Sequence, residues 1–160
     1  MTTPILKFKD DYEYLSNFYT RPKLLIWRGV EFDHSEGPYQ LEKDQELANN
    51  PDFVREFALY SASETKKWGK HHARLRADWN SVKVSIMHEI VKKKFDSNLD
   101  LKLKLIATGS SELIEGNWWH DNFWGTCPVG SKNGRNELGK IHMRIRTEFT
   151  GHELGGIIRY

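Results

Sequence analysis

The fold class turns on Asp78-Trp79-Asn80-Ser81-Val82-Lys83-Val84-Ser85-Ile86-Met87-His88-Glu89-Ile90-Val91-Lys92-Lys93-Lys94-Phe95. Val84, Met87, Val91 and Phe95 fall three, four and four residues apart, and Lys83, His88, Glu89, Lys92 and Lys93 fill the remaining positions. That spacing is one apolar stripe on a 3.6-residue period, so the segment predicts a long amphipathic helix. Lys92-Lys93-Lys94 reads as its solvated side, though such a run also suits nucleic-acid phosphates.

Helix signals dominate on both sides of this stretch. Asn50-Pro51-Asp52 gives a cap, a proline at the first helical position and an acid in the first turn. Ser61 followed by Glu64 fits a capping box. Downstream, Leu138, Ile141, Ile145 and Phe149 form the stripe of a last helix expected from about Gly134 to Phe149. Leu99 to Leu105 alternates Leu with charge, which a half-buried strand would do, yet Leu and Lys favour a helix. Strand signals are few. Ile5-Leu6-Lys7-Phe8 reads as a short strand, and Leu24–Trp27 and Val30–Phe32 read as a hairpin turning at Arg28-Gly29. The expected architecture is a mainly helical α+β domain with small antiparallel β elements, a single domain over residues 1–160.

The chain has 160 residues, a formal charge of +2 and one cysteine, Cys127. That excludes an intrachain disulfide and a Cys-rich zinc site, and it suits a reducing, cytoplasmic setting. No apolar run approaches membrane-spanning length, and Met1-Thr2-Thr3-Pro4 carries no signal-peptide pattern. The distinctive feature is aromatic. Eight Phe, six Trp and six Tyr sit in a chain whose mean hydropathy is −0.67, and Trp118, Trp119 and Trp124 crowd into one stretch. Either a flat ligand binds there or the core is built from rings.

Three stretches carry candidate chemistry. In Ser35-Glu36-Gly37-Pro38-Tyr39-Gln40-Leu41-Glu42-Lys43, a helix would align Glu36, Gln40 and Lys43 at i, i+4 and i+7 on one face. A carboxylate, an amide and an amine converging on a pocket make an acid–base set, although a solvated helix face has the same spacing. Glu115 to Gly125 interleaves tryptophans with Asn117, Asp121 and Asn122, which suits rings that stack on a base beside a working acid or rings that plug a core. Gly125 to Asn136 is a Gly-rich basic loop entering the last helix. Its Gly-Ser-Lys order at 130–132 is not a Walker A motif, but it can cradle phosphate through free N–H groups and the helix dipole, or be a plain surface loop. His34, His71 and His72 lack metal-ligand spacing, so no metal is expected. Cys127 reads as structural.

These segments together resemble the NADAR, or YbiA-like, N-glycosidases. Tyr14-Leu15-Ser16-Asn17-Phe18 is similar to the family's opening segment, and Ser35-Glu36-x-x-Tyr39-Gln40-x-x-Lys43 to its S-E-x-x-Y/F-Q-x-x-K signature. Trp79-x-x-Val82-Lys83 with Met87 and Lys94-Phe95 resembles the central helix. Leu113-Ile114-Glu115, Asp121-x-x-Trp124-Gly125 and Gly134-x-Asn136-x-Leu138-Gly139 complete six motifs in order from Tyr14 to Gly139. The chain departs from the pattern at Gly37-Pro38, where the family carries a larger pair, and at Leu41 and Glu42. Those departures bear on substrate shape.

The resemblance implies hydrolysis of an N-ribosyl bond without cofactor or metal. It implies a catalytic role for Glu36, Trp79 and Asp121, with Lys43 joining them. Ser16, Asn17, Phe18, Gln40, Trp124, Gly125, Ser131, Lys132 and Asn136 are the implied substrate-binding residues. Two substrate classes go with the family, namely ADP-ribose on guanine in nucleic acid and phosphorylated ribosylamino-pyrimidines of riboflavin synthesis. The first leads, with ADP-ribosylated guanine in DNA, or a nucleotide-like molecule, as partner and neither membrane nor obligate protein partner. A non-catalytic ADP-ribose-binding module is the rival from another class. The chemistry suits the residue types: Glu36 and Asp121 can divide acid–base work around an oxocarbenium-like state, or Lys43 can capture a ring-opened imine as a Schiff base. On this reading Phe95 and Phe149 are core rings, Trp79 and Trp124 are site rings, and Trp118 and Trp119 stay unassigned.

Overall fold

Arg28 and Gly29 both adopt positive φ, 50° and 78°, and so fold the chain into the tight turn whose twist matches paired strands. The hairpin consists of β1 (Leu25–Trp27) and β2 (Val30–Phe32), with Leu25 opposite Phe32 and Trp27 opposite Val30. Leu25, Trp27 and Phe32 are buried while Ile26 and Glu31 face out, the alternation a half-covered ribbon requires. The structure, a computed structural model, describes residues 2–158, the side chains of 152–158 excepted. Its chain divides into two compact units, one of residues 17–98 and one of residues 1–16 with 99–160.

The 17–98 unit carries the hairpin and five helices: α1 (Glu36–Leu41), α2 (Gln45–Ala48), α3 (Pro51–Phe57), α4 (Ala62–His71) and α5 (Trp79–Asp96). Short polar side chains start three of them. Asp44 accepts from Leu47 N, Asn50 from Asp52 N and Phe53 N, and Ser61 with Glu64 closes the expected capping box in both directions. Helix α5 lies where its periodicity placed it and buries Trp79, Met87, Ile90, Val91, Lys94 and Phe95. Lys94 departs from the expected solvated side: it has no exposed surface, whereas Lys93 is exposed. Lys94 occupies the stripe at i+7 from Met87, so helix geometry overrules its charge. Beyond α5, Asn98 donates to Lys94 O at 2.7 Å and to Leu24 O at 2.6 Å, tying the helix end to the hairpin. Glu42, also buried, accepts from Trp27 Nε1 at 2.8 Å and bidentately from Arg28 at 2.6 and 2.9 Å. This pairing fixes α1 to the ribbon and accounts for an acid at a departing position.

The other unit holds a 3₁₀-helix at Asp10–Leu15, α6 (Leu99–Ala107) and α7 (Glu137–Ile158). Leu99–Leu105 is helical, as its composition favoured, with Leu101 and Leu105 buried and Leu99 and Leu103 exposed. Two expectations change. Ile5–Phe8 forms only a parallel bridge from Ile5 to Leu113, because the chain bends away and Asp10 enters the left-handed region at φ 56°. Helix α7 starts at Glu137, not Gly134, since Gly134 at φ 146° and Asn136 at φ 51° cannot be helical, and it runs past Phe149 to Ile158. Phe95 and Phe149 are buried, as read. Among the described residues no helix is long and apolar enough to cross a membrane. The mainly helical α+β class with one small antiparallel sheet is the observed one.

Candidate active site

In the 17–98 unit the site is built around the first turn of α1. Gly37 N donates to His34 Nδ1 at 3.1 Å, and His34 Nε2 lies 2.9 Å from Tyr60 O. These partners require an acceptor at Nδ1 and a donor at Nε2, which is the neutral ring, and burial pushes the imidazole below its ordinary pKa. Asn17 secures the same turn: its carbonyl accepts Glu36 N at 3.1 Å, its Oδ1 accepts Ser35 Oγ at 3.2 Å, and its Nδ2 donates to Met87 Sδ at 3.4 Å. Asn17 thus orients Glu36 through the backbone.

Every residue of α1 is buried, including Glu36 and Gln40. Gln40 Nε2 donates to Glu36 Oε1 at 2.8 Å, the i, i+4 pair expected from the spacing. Lys43 lies past the end of α1, in a turn where its N–H bonds Gln40 O at 3.2 Å, so the three side chains are not on one continuous helix. The tighter turn still leaves Lys43 within electrostatic reach of Glu36. Burial lowers the Lys43 pKa; the Glu36 charge opposes that shift, and Lys66 and Lys83 reinforce it. Lys43 Nζ sits 5.6 Å from the centre of the Tyr39 ring, and Tyr39 packs on Trp79 at 5.2 Å. Trp79 is only 5% exposed and is a wall of this cluster, whereas Phe18 offers an open ring, 44% exposed, with Lys66 Nζ at 5.6 Å. The arrangement supplies an oriented carboxylate, an amine shifted toward its neutral form, and aromatic walls.

The other unit carries Ser16, Asp121, Trp124, Gly125, Ser131, Lys132 and Asn136. Its organiser is Asn117, 1% exposed, whose Oδ1 accepts Trp119 N and Asp121 N and whose Nδ2 donates to Asp121 O and Thr126 O. Asp121 Oδ1 in turn accepts Phe123 N and Trp124 N. Gly125 is required by close approach, since a Cβ there would run into Glu115 O. Asn136 is a brace: Oδ1 accepts Glu115 N at 3.0 Å and Nδ2 donates to Leu113 O at 2.9 Å. The N–H groups of Arg135, Asn136, Glu137 and Leu138 bond the carbonyls of Asn122, Gly125, Phe123 and Trp124. These four N–H groups are therefore not free donors, while the Ser131 hydroxyl and the exposed Lys132 amine are side-chain groups that the loop presents. Ser16 caps the 3₁₀-helix through its own N–H to Glu13 O. Trp118 and Trp119 project outward, 67% and 52% exposed. Cys127 is buried with a free thiol. Among the described residues no group of three or more His, Cys, Asp or Glu is placed to hold a metal ion.

Asn117, Tyr39 and Lys83 stand in the quoted sequence stretches without an assigned role, and His34 is weighed there only as a metal ligand; Lys66 is not singled out at all. Asn117 does carry a signal, since its spacing from Asp121 suits a side-chain-bonded turn.

A small hairpin leading into a buried Glu–Gln helix, with a tryptophan-rich braced loop ahead of a long final helix, defines a recognisable class. The chain belongs to the NADAR domain family, whose model matches residues 6–150. It is 32% identical along its whole length to a riboflavin biosynthesis protein of Vibrio vulnificus, of which it spans 42%. Over 87% of its length it is 29% identical to the N-glycosidase YbiA of Shigella flexneri, spanning 82% of that protein. The NMR structure of Escherichia coli YbiA superposes with a TM-score of 0.78 at 28% identity, covering 96% of this chain and 89% of that one.

Proposed function

We propose that this protein is an N-glycosidase that hydrolyses an N-ribosyl bond, removing ADP-ribose from ADP-ribosylated guanine in DNA. The observation that carries the reading is the buried Glu36 carboxylate, held by Gln40 Nε2 at 2.8 Å and coupled to Lys43 beside the Tyr39 and Trp79 rings. The relatives named N-glycosidase support the reaction class. Lys66 and Lys83 lie within electrostatic reach of Lys43, and the three together gather positive charge that suits a diphosphate. The outward rings of Trp118 and Trp119 suit stacking on bases of a strand.

In the reaction the bond from C1′ to the base nitrogen breaks with its electron pair leaving on nitrogen. Water supplies the new C1′ oxygen, and its proton passes to a carboxylate while the departing nitrogen takes one. Glu36 stabilises the positive charge that develops on the ribose and accepts the water proton. In the alternative route the ribose opens to an imine, the Lys43 amine adds to C1′ and expels the base amine, and water then releases the sugar. An amine shifted toward its neutral form suits this step.

A second reading takes phosphorylated ribosylamino-pyrimidines of riboflavin synthesis as substrate, and the Vibrio vulnificus relative's name favours it. Turnover of both substrates, followed by mass spectrometry of the released base and sugar, decides between them. Glu36→Gln is expected to lose at least ~10²-fold in turnover. A wild type that turns over neither substrate, with ADP-ribose binding retained in Glu36→Gln, would instead mark a non-catalytic binding module.

A further inference from the structure

Gly69 lies inside α4, where glycine weakens a helix relative to alanine, and its backbone is not left-handed. No turn or cap requires a glycine at this position. Space does. A Cβ built on Gly69 would overlap Gln40 Oε1 outright and come within 2.7 Å of Gln40 Cδ and 3.3 Å of Gln40 Cβ. The Gln40 amide is 3% exposed, and among the described residues its Oε1 has no hydrogen-bond partner. That end of the amide is held by the room beside Gly69, while its other end, Nε2, donates to Glu36 Oε1.

We propose that Gly69 is a positioning residue acting through Gln40: the missing side chain on α4 admits the Gln40 amide, whose N–H then orients the Glu36 carboxylate and favours its charged form. The inference rests on the reading of Glu36 as the reacting carboxylate. It also reassigns Gln40 from contacting substrate to holding the residue that does. The two severe overlaps fall on the amide at the far end of the Gln40 side chain, so Gly69→Ala displaces that amide, while the 3.3 Å approach to Gln40 Cβ asks for a few tenths of an ångström of give. The discriminating quantity is the titration of Glu36, not stability.

The test uses Gly69→Ala, Gln40→Ala and the double variant, with two readouts. The first is carbon-13 NMR titration of the Glu36 side-chain carboxyl, which needs no substrate. Both single variants are expected to titrate at higher pH than the wild type, because the N–H that favours the anion is gone. The double variant is expected to match Gln40→Ala, as two changes acting through one contact must. Lys43, the cation coupled to Glu36, is present throughout. The second readout is kcat on an oligonucleotide carrying ADP-ribosylated guanine, where each single variant should lose about 10- to 100-fold and the double no more. The proposal is overturned if Gly69→Ala titrates like wild type, or if it shifts Glu36 further in the Gln40→Ala background. If the titration moves as expected while turnover is unaffected or absent, the positioning stands and the catalytic reading of Glu36 is what fails.

Discussion

The Asp121 carboxylate accepts the backbone N–H of Trp124 at 2.9 Å and that of Phe123 at 3.1 Å, both through Oδ1. One oxygen thus fixes the turn that presents Trp124, and the residue has a conformational duty separable from any chemical one. Asp121→Ala removes the acceptor and should lower stability by about 1–2 kcal/mol. Asp121→Asn keeps an acceptor at Oδ1 without the charge, so it should retain most of that stability while losing about 10²-fold in turnover. Urea unfolding beside a turnover assay checks both. Equal destabilisation by the two variants, or wild-type turnover in Asp121→Asn, would contradict the assignment.

Lys43 decides between two routes to the same products. If its amine captures the opened ribose, sodium borohydride added during turnover should reduce the adduct and leave a mass increment the size of the ADP-ribosyl group on the Lys43 peptide. Lys43→Arg, which keeps the charge but not the nucleophile, should show no increment and lose at least ~10²-fold in rate. Turnover without any trapped adduct, together with an active Lys43→Arg, would leave the carboxylate route alone.

His34 should make the turn that carries Glu36 acid-sensitive. Burial lowers its folded-state pKa below the ordinary 6.5, so between those two values the unfolded chain binds a proton that the folded chain does not. The His34 contribution is complete above about pH 6.5 and is lost as pH falls through the folded value. The structural cause is direct, since a proton on Nδ1 would face the Gly37 N–H. Comparing urea midpoints at pH 7.5 and 5.5, wild type should fall more than His34→Asn. A parallel fall in both proteins would rule this out.

Lys94 gives the opposite end of the pH scale. Complete burial pushes it down to about 7, against an ordinary value of 10.5. Stability from this group is fully present above 10.5 and is lost as pH falls toward about 7, below which it changes no further. The stability of wild type relative to Lys94→Met should therefore climb between pH 7 and 10, as read by chemical unfolding at each pH. A flat difference across that range would mean that Lys94 stays charged inside the fold.

Much of the fold was legible because several elements carry their own boundary chemistry. Asn50, Ser61 and Glu64 announce helix starts with side chains that bond the exposed N–H groups, and Arg28-Gly29 announces a turn that needs two positive φ angles. What was not legible depends on tertiary placement. Lys92, Lys93 and Lys94 read alike as charges, yet only the third falls on the buried stripe, and residue type masked a periodicity that was present. The onset of α7 was misread because Asn136 bonds Leu113 and Glu115, more than twenty residues upstream, and is drawn out of the helical region. The Glu36–Gln40 pair followed from spacing alone. His34, which fixes the turn beneath it, did not, because its partner Tyr60 is remote in sequence.

Four backbone bonds join residues 135–138 to residues 122–125, and inside them Cys127 N and Asn133 O meet at 3.0 Å. The segment between is anchored at both ends by the main chain, and the Asn133 side chain adds one more closing bond, Nδ2 to Cys127 O at 3.2 Å. Closure entropy grows only with the logarithm of length, about 0.6 kcal/mol per doubling, so the tip around Val129–Lys132 can be lengthened, shortened or grafted with little penalty. A scaffold with such an exchangeable tip can acquire new ligand preferences by insertion while its helices keep their sequence, which makes this loop the natural place to begin redesigning specificity.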